Sequence, residues 1–281
     1  MIGRVALFVP ASSPAMLNSS AAFDADSLIF DLEDAVALSE KDATRELLRE
    51  ALNTLKFDGK TIVVRINSLA TDFWEMDMKY IVDTPANAVM IPKAGPAEVK
   101  AVSKFLDSKD SEMAIIPLIE MASAVEEITT ILGSSPRVKG ILFGAEDYTA
   151  DMGISRTREG DEVYYARARL ANAIHAFGVE GLDTPFTDVN DMEGLKNDAM
   201  KGKKLGYTGK AAINPRQIEI IKQVYAPTED EINYALKVIN SLKRAGGKGV
   251  FAVDGKMIDA PIIARARITL ERAGIEVDSV D

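Results

Sequence analysis

The 281-residue chain contains no cysteine and only one histidine. The absence of cysteine excludes disulfides, thiolate nucleophiles and zinc–thiolate centres, and it is compatible with a cytoplasmic location. A catalytic triad or metal site built on histidine would have to use His175, which lies in a helix-like stretch ending at Gly178. We expect this histidine to pack or to face solvent. Acid–base chemistry therefore falls mainly to carboxylates, water or lysine.

Long apolar runs are also missing, and the balance of charge is acidic. No run approaches the ~18 residues that a membrane span needs, and no signal-peptide pattern precedes the first strand-like run. The formal net charge of −10 argues against nucleic acid as a partner, because phosphate contacts need clustered Lys and Arg. We therefore expect a cytoplasmic protein with neither a membrane nor a nucleic-acid partner.

Short β-branched runs alternate with longer amphipathic stretches, such as residues 40–55, whose apolar side chains share one helical face. The predicted strands cover residues 4–9, 27–31, 61–66, 88–92, 113–119, 138–143, 179–183 and 205–211. Eight strand–helix units predict an α/β fold, a (β/α)8 TIM barrel. An open doubly wound sheet is the alternative, but neither a Rossmann glycine fingerprint nor a P-loop follows the first strand.

The pattern changes after about residue 225. Thr228 and Glu231 have the spacing of a capping box that starts a helix, and a turn at Gly246-Gly247 follows. An Asp-Gly turn within residues 250–258 predicts a β-hairpin, and residues 261–273 predict a last helix.

These patterns divide the chain into a catalytic barrel over residues 1–225 and a helix–hairpin–helix extension over residues 226–281. The extension is too small for a core of its own. We therefore expect it to pack on the barrel or at an interface with a neighbouring subunit.

Charged residues recur where the predicted strands end, which is where the catalytic groups of a barrel lie. Such side chains are seldom buried unless they are paired or bind a metal. With carboxylates dominant, the pattern favours a hard cation, and Mg²⁺ takes one or two carboxylates plus waters and substrate oxygens. Glu120 and Asp147, ending strands five and six, are the best direct ligands. Glu33 and Asp34 are candidates to hold its water molecules.

Other interpretations of the strand ends stay open. The same carboxylates are candidates for a structural network with Arg65, Lys93 and Lys210. Gly144 and Ala145 are candidate donors of backbone N–H groups to a substrate carboxylate, since glycine permits close approach.

Several motifs, in order over nearly the whole chain, resemble the β-subunit of citrate lyase. They are residues 7–10 (LFVP), 30–42 (FDLEDAVALSEKD), 64–67 (VRIN), 144–148 (GAEDY), 213–218 (INPRQI), 225–228 (YAPT) and 255–261 (GKMIDAP). The wider superfamily includes malyl-CoA and citramalyl-CoA lyases, which share a Mg²⁺-dependent barrel and usually form trimers. One departure is Met121-Ala122 after Glu120, where the β-subunit commonly has Ser-Pro, so we expect a different pocket wall there.

The resemblance implies cleavage of a citryl thioester to oxaloacetate and an acetyl thioester. It also implies acyl-carrier and transferase subunits as partners in a larger complex, and a homotrimer. It matches Glu120 and Asp147 to the Mg²⁺ ligands, with Glu120 beside the substrate, and Arg65 to the active-site arginine. Asp259 matches a carboxylate that enters the site from an adjacent subunit.

In a retro-Claisen cleavage, Arg65 would stabilise the enolate, and Asp259 or a metal-held water would protonate it, with Glu33 and Asp34 tuning those waters. A basic patch is the candidate for the phosphates of phosphopantetheine or CoA. Its members are Arg4, Arg156, Arg158, Lys210 and Arg216. The alternatives are a stand-alone malyl-CoA or citramalyl-CoA lyase and a non-catalytic scaffold subunit.

Overall fold

Eight parallel strands close into a barrel and follow one another around it in chain order. The structure is a computed structural model, which describes residues 2–244 and 250–276. The strands are β1 (Val5–Pro10), β2 (Ser27–Asp31), β3 (Thr61–Arg65), β4 (Ala88–Ile91), β5 (Ala114–Ile119), β6 (Gly140–Phe143), β7 (Glu180–Asp183) and β8 (Gly209–Ala212). Pairing of Ala6 in β1 with Ala211 in β8 closes the ring. The predicted (β/α)8 TIM barrel is confirmed.

Helices follow the strands around the barrel. They are α1 (Pro14–Ser20), α2 (Lys41–Thr54), α3 (Trp74–Ile81), α4 (Pro96–Asp107), α5 (Ala122–Glu126), α6 (Ile128–Leu132), α7 (Ala145–Asp151), α8 (Tyr164–Phe177), α9 (Met192–Leu205) and α10 (Ile218–Tyr225). The last barrel strand begins later than predicted, because α9 continues to Leu205 and ends at Gly206, whose φ of 109° is the left-handed conformation of a helix C-terminus. None of the described helices is long and apolar enough to cross a membrane.

Alternation along the strands decides which side chains reach the mouth of the barrel. The residues that fill the interior include Ala6, Ile29, Val63, Leu118, Leu142 and Leu182. Two positions further along, towards the carboxyl ends of the strands, come Phe8, Asp31, Arg65, Glu120, Gly144 and Thr184, and all six line a single cavity. The catalytic mouth is therefore built from one layer of side chains, set by strand parity.

Lys210 has the opposite parity and faces the helical layer. Its ammonium is completely buried and donates to Asp183 (3.1 Å) and Asp198 (2.5 Å). Arg167 of α8 bonds the same two carboxylates. Lys210 is therefore neither a member of the predicted basic patch nor a partner of the mouth carboxylates. The prediction was wrong because it counted strand ends and ignored which face each residue occupies.

The chain divides into two compact units, Met1–Tyr225 and Ala226–Asp281. In the second unit α11 (Glu229–Arg244) starts with the predicted capping box. The Thr228 N–H donates to the Glu231 carboxylate (2.8 Å), and the Glu231 N–H donates to Thr228 Oγ1 (3.2 Å). The predicted turn at Gly246-Gly247 lies outside the described residues.

The rest of the second unit is a hairpin and a helix: β9 (Phe251–Val253), β10 (Lys256–Ile258) and α12 (Ala260–Arg272). Asp254 and Gly255 have φ values of 50° and 76°, as a type I′ hairpin turn requires. Contrary to our expectation, the unit has a small hydrophobic cluster of its own. Its buried members are Ala235, Val238, Ile239, Val253, Ile258, Ala266 and Leu270.

Candidate active site

A cavity of about 450 Å³ lies at the carboxyl ends of the barrel strands. Besides the mouth layer, its lining includes Asp34, Ala145, Glu146, Asp147, Pro185 and Ile213. The structure therefore brings the predicted residues Arg65, Glu120 and Asp147 to one cavity. Met121 and Ala122, the departure seen in the sequence, are not among its described lining residues.

Arg65 is held in a fixed orientation at the mouth. Its Nε and Nη2 atoms donate to the two oxygens of Asp31 at 2.7 and 2.6 Å, and its guanidinium lies 5.3 Å from the ring centre of Phe8. Burial disfavours the charge, but the hydrogen bonds and charge of Asp31 outweigh it and raise the pKa of Arg65. A permanent cation with a defined plane therefore faces the cavity.

Asp31 is the residue that sequence reasoning missed. It pairs with Arg65 in the register of β2 and β3, and its carboxylate also accepts the N–H groups of Glu33 (2.9 Å) and Ala35 (3.1 Å). An Asp and an Arg ending neighbouring strands with the same inward parity were the signal available. Asp31 thus orients Arg65 and shapes the loop that follows β2.

Glu33 and Asp34 approach the remaining guanidinium nitrogen. Arg65 Nη1 lies 2.9 Å from Glu33 Oε2 and 3.2 Å from Asp34 Oδ2. Burial raises the pKa of Glu33 to about 7, although Arg65 opposes that shift. The Lys41 ammonium holds the loop after β2 in place by donating to the carbonyls of Leu32 and Glu33, both at 2.7 Å. The structure places both acids at the mouth, and their predicted contact with metal-held water stays a prediction.

Glu120 is a buried carboxylate that forms no ion pair with any of the described residues. Its side chain is almost fully enclosed, and its Oε1 atom accepts the N–H of Lys93 at 2.7 Å. Lys93 adopts φ 48° to make this contact, a conformation uncommon outside glycine. Burial and the nearby charge of Asp147 raise the pKa of Glu120 to about 8.

The structural network proposed for the mouth carboxylates does not include Glu120 or Asp147. Within residues 2–244 and 250–276 neither forms an ion pair, whereas Arg65 binds the β2 carboxylates and Lys210 faces the helices. Two neighbouring buried carboxylates repel each other, so ionising both costs free energy unless a cation binds to them. The described residues contain no group of three or more His, Asp or Glu suited to a metal. A cation held by Glu120 and Asp147 would therefore have to take its other ligands from water and substrate, as hard cations such as Mg²⁺ do.

Gly144 matters through its missing side chain. A Cβ atom there would lie 2.9 Å from Glu120 Cβ and 3.0 Å from Glu120 Oε2, so a larger residue would displace the carboxylate. The Gly144 N–H donates to Ile119 O (2.9 Å) and the Ala145 N–H to Thr184 Oγ1 (3.1 Å). The prediction that both N–H groups bind substrate is corrected: Gly144 is held in the barrel ladder, and Ala145 already has a partner.

The remaining members of the predicted basic patch are scattered. Arg4 directly precedes β1 and lies at the amino end of the strands, opposite the cavity. Arg156 is occupied by Glu146 and Glu162. Arg158 is exposed and bonds Asp191 at 2.7 Å, and the exposed Arg216 is 3.4 Å from the carbonyl of Val189. Arg158 and Arg216 are what is left of the patch.

Asp259 belongs to the second unit. It is the N-cap of α12, where its carboxylate accepts the Ile262 N–H at 3.4 Å. This local role accounts for an Asp directly before a helix whose second residue is proline. Its predicted entry into a neighbouring subunit's site stays a prediction.

Comparison with known proteins places the chain in a family. The citrate lyase subunit beta of Leuconostoc mesenteroides subsp. cremoris is 39% identical over 280 residues, covering 96% of this chain and 93% of that protein. The L-malyl-CoA/beta-methylmalyl-CoA lyase of Cereibacter sphaeroides is 30% identical, covering 96% and 94%. The crystal structure of protein CitE from Mycobacterium tuberculosis, in complex with magnesium, acetoacetate and coenzyme A, has a TM-score of 0.83 and 32% identity, covering 97% of this chain and 98% of that one.

A family model described as HpcH/HpaI aldolase/citrate lyase matches residues 4–215. The match includes every barrel strand and all the cavity residues described above. Because it covers well over half of the sequence, the chain belongs to the HpcH/HpaI aldolase/citrate lyase family.

Proposed function

We propose that this protein is a Mg²⁺-dependent carbon–carbon lyase that cleaves a citryl thioester to oxaloacetate and an acetyl thioester. The observation that carries the proposal is the pair Glu120 and Asp147, two carboxylates without a cation partner among the described residues, which line one cavity with Arg65. The relatives support the same chemistry, since citrate lyase β-subunits match nearly the whole chain.

Glu120 and Asp147 would hold Mg²⁺, which supplies Lewis-acid polarisation of the substrate's oxygens when bound. Arg65 stabilises the negative charge that develops on the thioester oxygen as the carbon–carbon bond opens. Its two bonds to Asp31 keep the guanidinium from rotating, so its donors need no reorganisation during the reaction. Gly144 leaves the space in which the Glu120 carboxylate lies. In this proposal Glu33 and Asp34 tune the waters around the cation.

The proposal extends to the carrier and the assembly. An acyl-carrier thioester, with transferase and carrier subunits as partners, fits the match to citrate lyase β-subunits. Arg158 and Arg216 are exposed, which makes them the candidates for the carrier's phosphates. A homotrimer, in which Asp259 of one subunit protonates the enolate in another, completes the proposal.

A substrate assay tests the central claim. Citryl-CoA, citramalyl-CoA and malyl-CoA, and then a citryl thioester on an acyl carrier, are supplied in turn with Mg²⁺, and oxaloacetate, pyruvate or glyoxylate is measured. We expect cleavage of the citryl thioester to be the fastest and to stop when the metal is chelated. The second candidate, a stand-alone malyl-CoA lyase, is favoured by the Cereibacter relative, and a preference for malyl-CoA would replace our assignment with it. No cleavage of any thioester, free or carrier-bound, would point to a scaffold subunit.

Mixed oligomers test the role of Asp259. Asp259→Asn and Arg65→Ala chains are inactive in this proposal, but co-assembly creates some sites with both residues intact. We expect co-expression of the two variants to restore a measurable fraction of the activity, whereas either variant expressed alone stays inactive. If co-assembled oligomers form and stay inactive, the shared-site proposal is wrong.

The pH dependence of Mg²⁺ binding follows from Glu120. Burial and Asp147 raise its pKa to about 8, so protons compete with the cation below that pH. We expect the apparent affinity for Mg²⁺ to rise about tenfold per pH unit from pH 6 to 8 and then to level off. Titration calorimetry at several pH values measures this, and a flat profile would contradict it.

The same pKa makes a statement about the metal-free protein. Folding raises the pKa of Glu120 from 4.5 to about 8, so the native state holds this proton more tightly than the unfolded state. The contribution of Glu120 to the free energy of unfolding is therefore lost as the pH rises towards 8. Saturating Mg²⁺ should reverse that loss.

A further inference from the structure

Thr184 lies at the mouth of the barrel and takes no part in the proposed lyase chemistry. It is the first residue after β7 and has the inward parity of Leu182. Its side chain lines the cavity, although only 1% of the residue is exposed. A polar group this enclosed normally has all its hydrogen-bonding capacity satisfied.

The hydroxyl of Thr184 accepts a hydrogen bond from the protein but donates none to the described residues. A hydroxyl accepts through its lone pairs and donates one proton. Thr184 Oγ1 accepts the N–H of Ala145 at 3.1 Å, and no group within the described ranges accepts its proton. The donor is thus left to whatever occupies the cavity.

The orientation of Thr184 is imposed from outside the barrel. Lys210 donates to its carbonyl oxygen at 2.5 Å, and the same ammonium is held by Asp183 and Asp198. On the cavity side the bond to Ala145 ties the hydroxyl to the first turn of α7, which also carries Asp147. With its backbone and its hydroxyl both anchored, Thr184 is a preorganised donor.

The charges around the cavity indicate what this donor would bind. Among the described residues that line the cavity Arg65 is the only cation, and the ionisable side chains that follow β5 or lie on α7 are the carboxylates Glu120, Glu146 and Asp147. A neutral hydroxyl at the same wall donates to a carboxylate oxygen without adding charge.

We propose that Thr184 donates a hydrogen bond to a carboxylate oxygen of the oxo-acid half of the substrate, and so helps to select that half. The inference rests on the proposed lyase function. A hydrogen bond to a charged acceptor is worth about a tenfold to hundredfold change in affinity, so its loss is measurable.

The test compares Thr184→Val, which keeps the shape, with Thr184→Ser, which keeps the hydroxyl. Titration calorimetry on the full chain measures Mg²⁺ alone and then oxaloacetate in saturating Mg²⁺. We expect Thr184→Val to weaken oxaloacetate binding about tenfold or more while the affinity for Mg²⁺ changes less than about threefold. Thr184→Ser should stay close to the wild type in both.

Any other binding result from folded variants overturns the proposal. An equal loss of Mg²⁺ affinity in Thr184→Val would mean that Thr184 acts only through Ala145 and Asp147. Unchanged oxaloacetate binding, or an equal loss in Thr184→Ser, would mean that the hydroxyl does not contact the ligand. If Thr184→Val does not fold, Thr184→Ala, which leaves room for a water molecule, takes its place. A wild-type protein that fails to bind oxaloacetate would remove the proposed function, and this inference with it.

Discussion

Glu120→Gln and Asp147→Asn are each expected to lower Mg²⁺-dependent lyase activity by at least ~10³-fold in kcat/KM. Each substitution removes one of the two carboxylates available to the cation and leaves the size of the side chain nearly unchanged. The fold should survive both. Glu120→Gln also replaces a buried carboxyl whose pKa is about 8 with a neutral amide, so at pH 8 and above the metal-free variant should unfold at the same temperature as the wild type or higher.

Asp151→Asn is the matched control for the metal ligands. It removes the same charge from the same helix, but the Asp151 carboxylate accepts the N–H of Ala122 at 2.8 Å and is not among the described lining residues. We expect a small loss of stability, about 1 kcal/mol, with activity within about threefold of the wild type. Activity comparable to wild type in either ligand variant would remove the assignment of Glu120 and Asp147.

Arg65→Lys is expected to lower kcat by about 10²-fold to 10³-fold, with a smaller effect on KM. Lysine keeps the positive charge but lacks the guanidinium. In Arg65, that group bonds both oxygens of Asp31 and at the same time presents Nη1 to Glu33. The charge would therefore no longer be held in one place. Steady-state kinetics with the citryl thioester measures the effect.

Two further variants separate orientation from charge at this position. Asp31→Asn keeps Arg65 but weakens the hydrogen bonds that orient its guanidinium, so it should lower kcat by a smaller factor than Arg65→Lys does. Arg49→Lys makes the same exchange in an exposed pair with Glu46, and should change neither activity nor stability. If Arg65→Lys is as active as Arg49→Lys, then guanidinium geometry does not contribute to the reaction.

Much of the site follows from the order of residues along the chain. The spacing of β-branched runs predicts eight strands, and a closed parallel barrel collects their carboxyl ends at one mouth. Arg65, Glu120 and Asp147 could be proposed as a group because each lies at or just after a strand end. Their assembly needs only the strand order, which the period and spacing of the sequence already contain.

Other features depend on details of register and packing. Lys210 and Arg65 both lie near strand ends, yet one faces the helices and the other the cavity. The Gly144 N–H looked available until the ladder bond to Ile119 was visible. The importance of Thr184 comes from bonds to Ala145 and Lys210, which are 39 and 26 residues away in the chain.

The sequence by itself therefore determined the barrel, the acidic character of its mouth and the absence of histidine and cysteine chemistry there. Only the tertiary structure decided that Glu120 is buried without an ion-pair partner in the described part of the chain, that Asp31 orients Arg65, and that Lys210 anchors the outside of the barrel. The physical reason is that each strand is encoded by a local pattern of apolar residues, so the order of the strands can be read along the chain. The partner of a buried charge is set by parity, register and contacts between residues far apart in the chain.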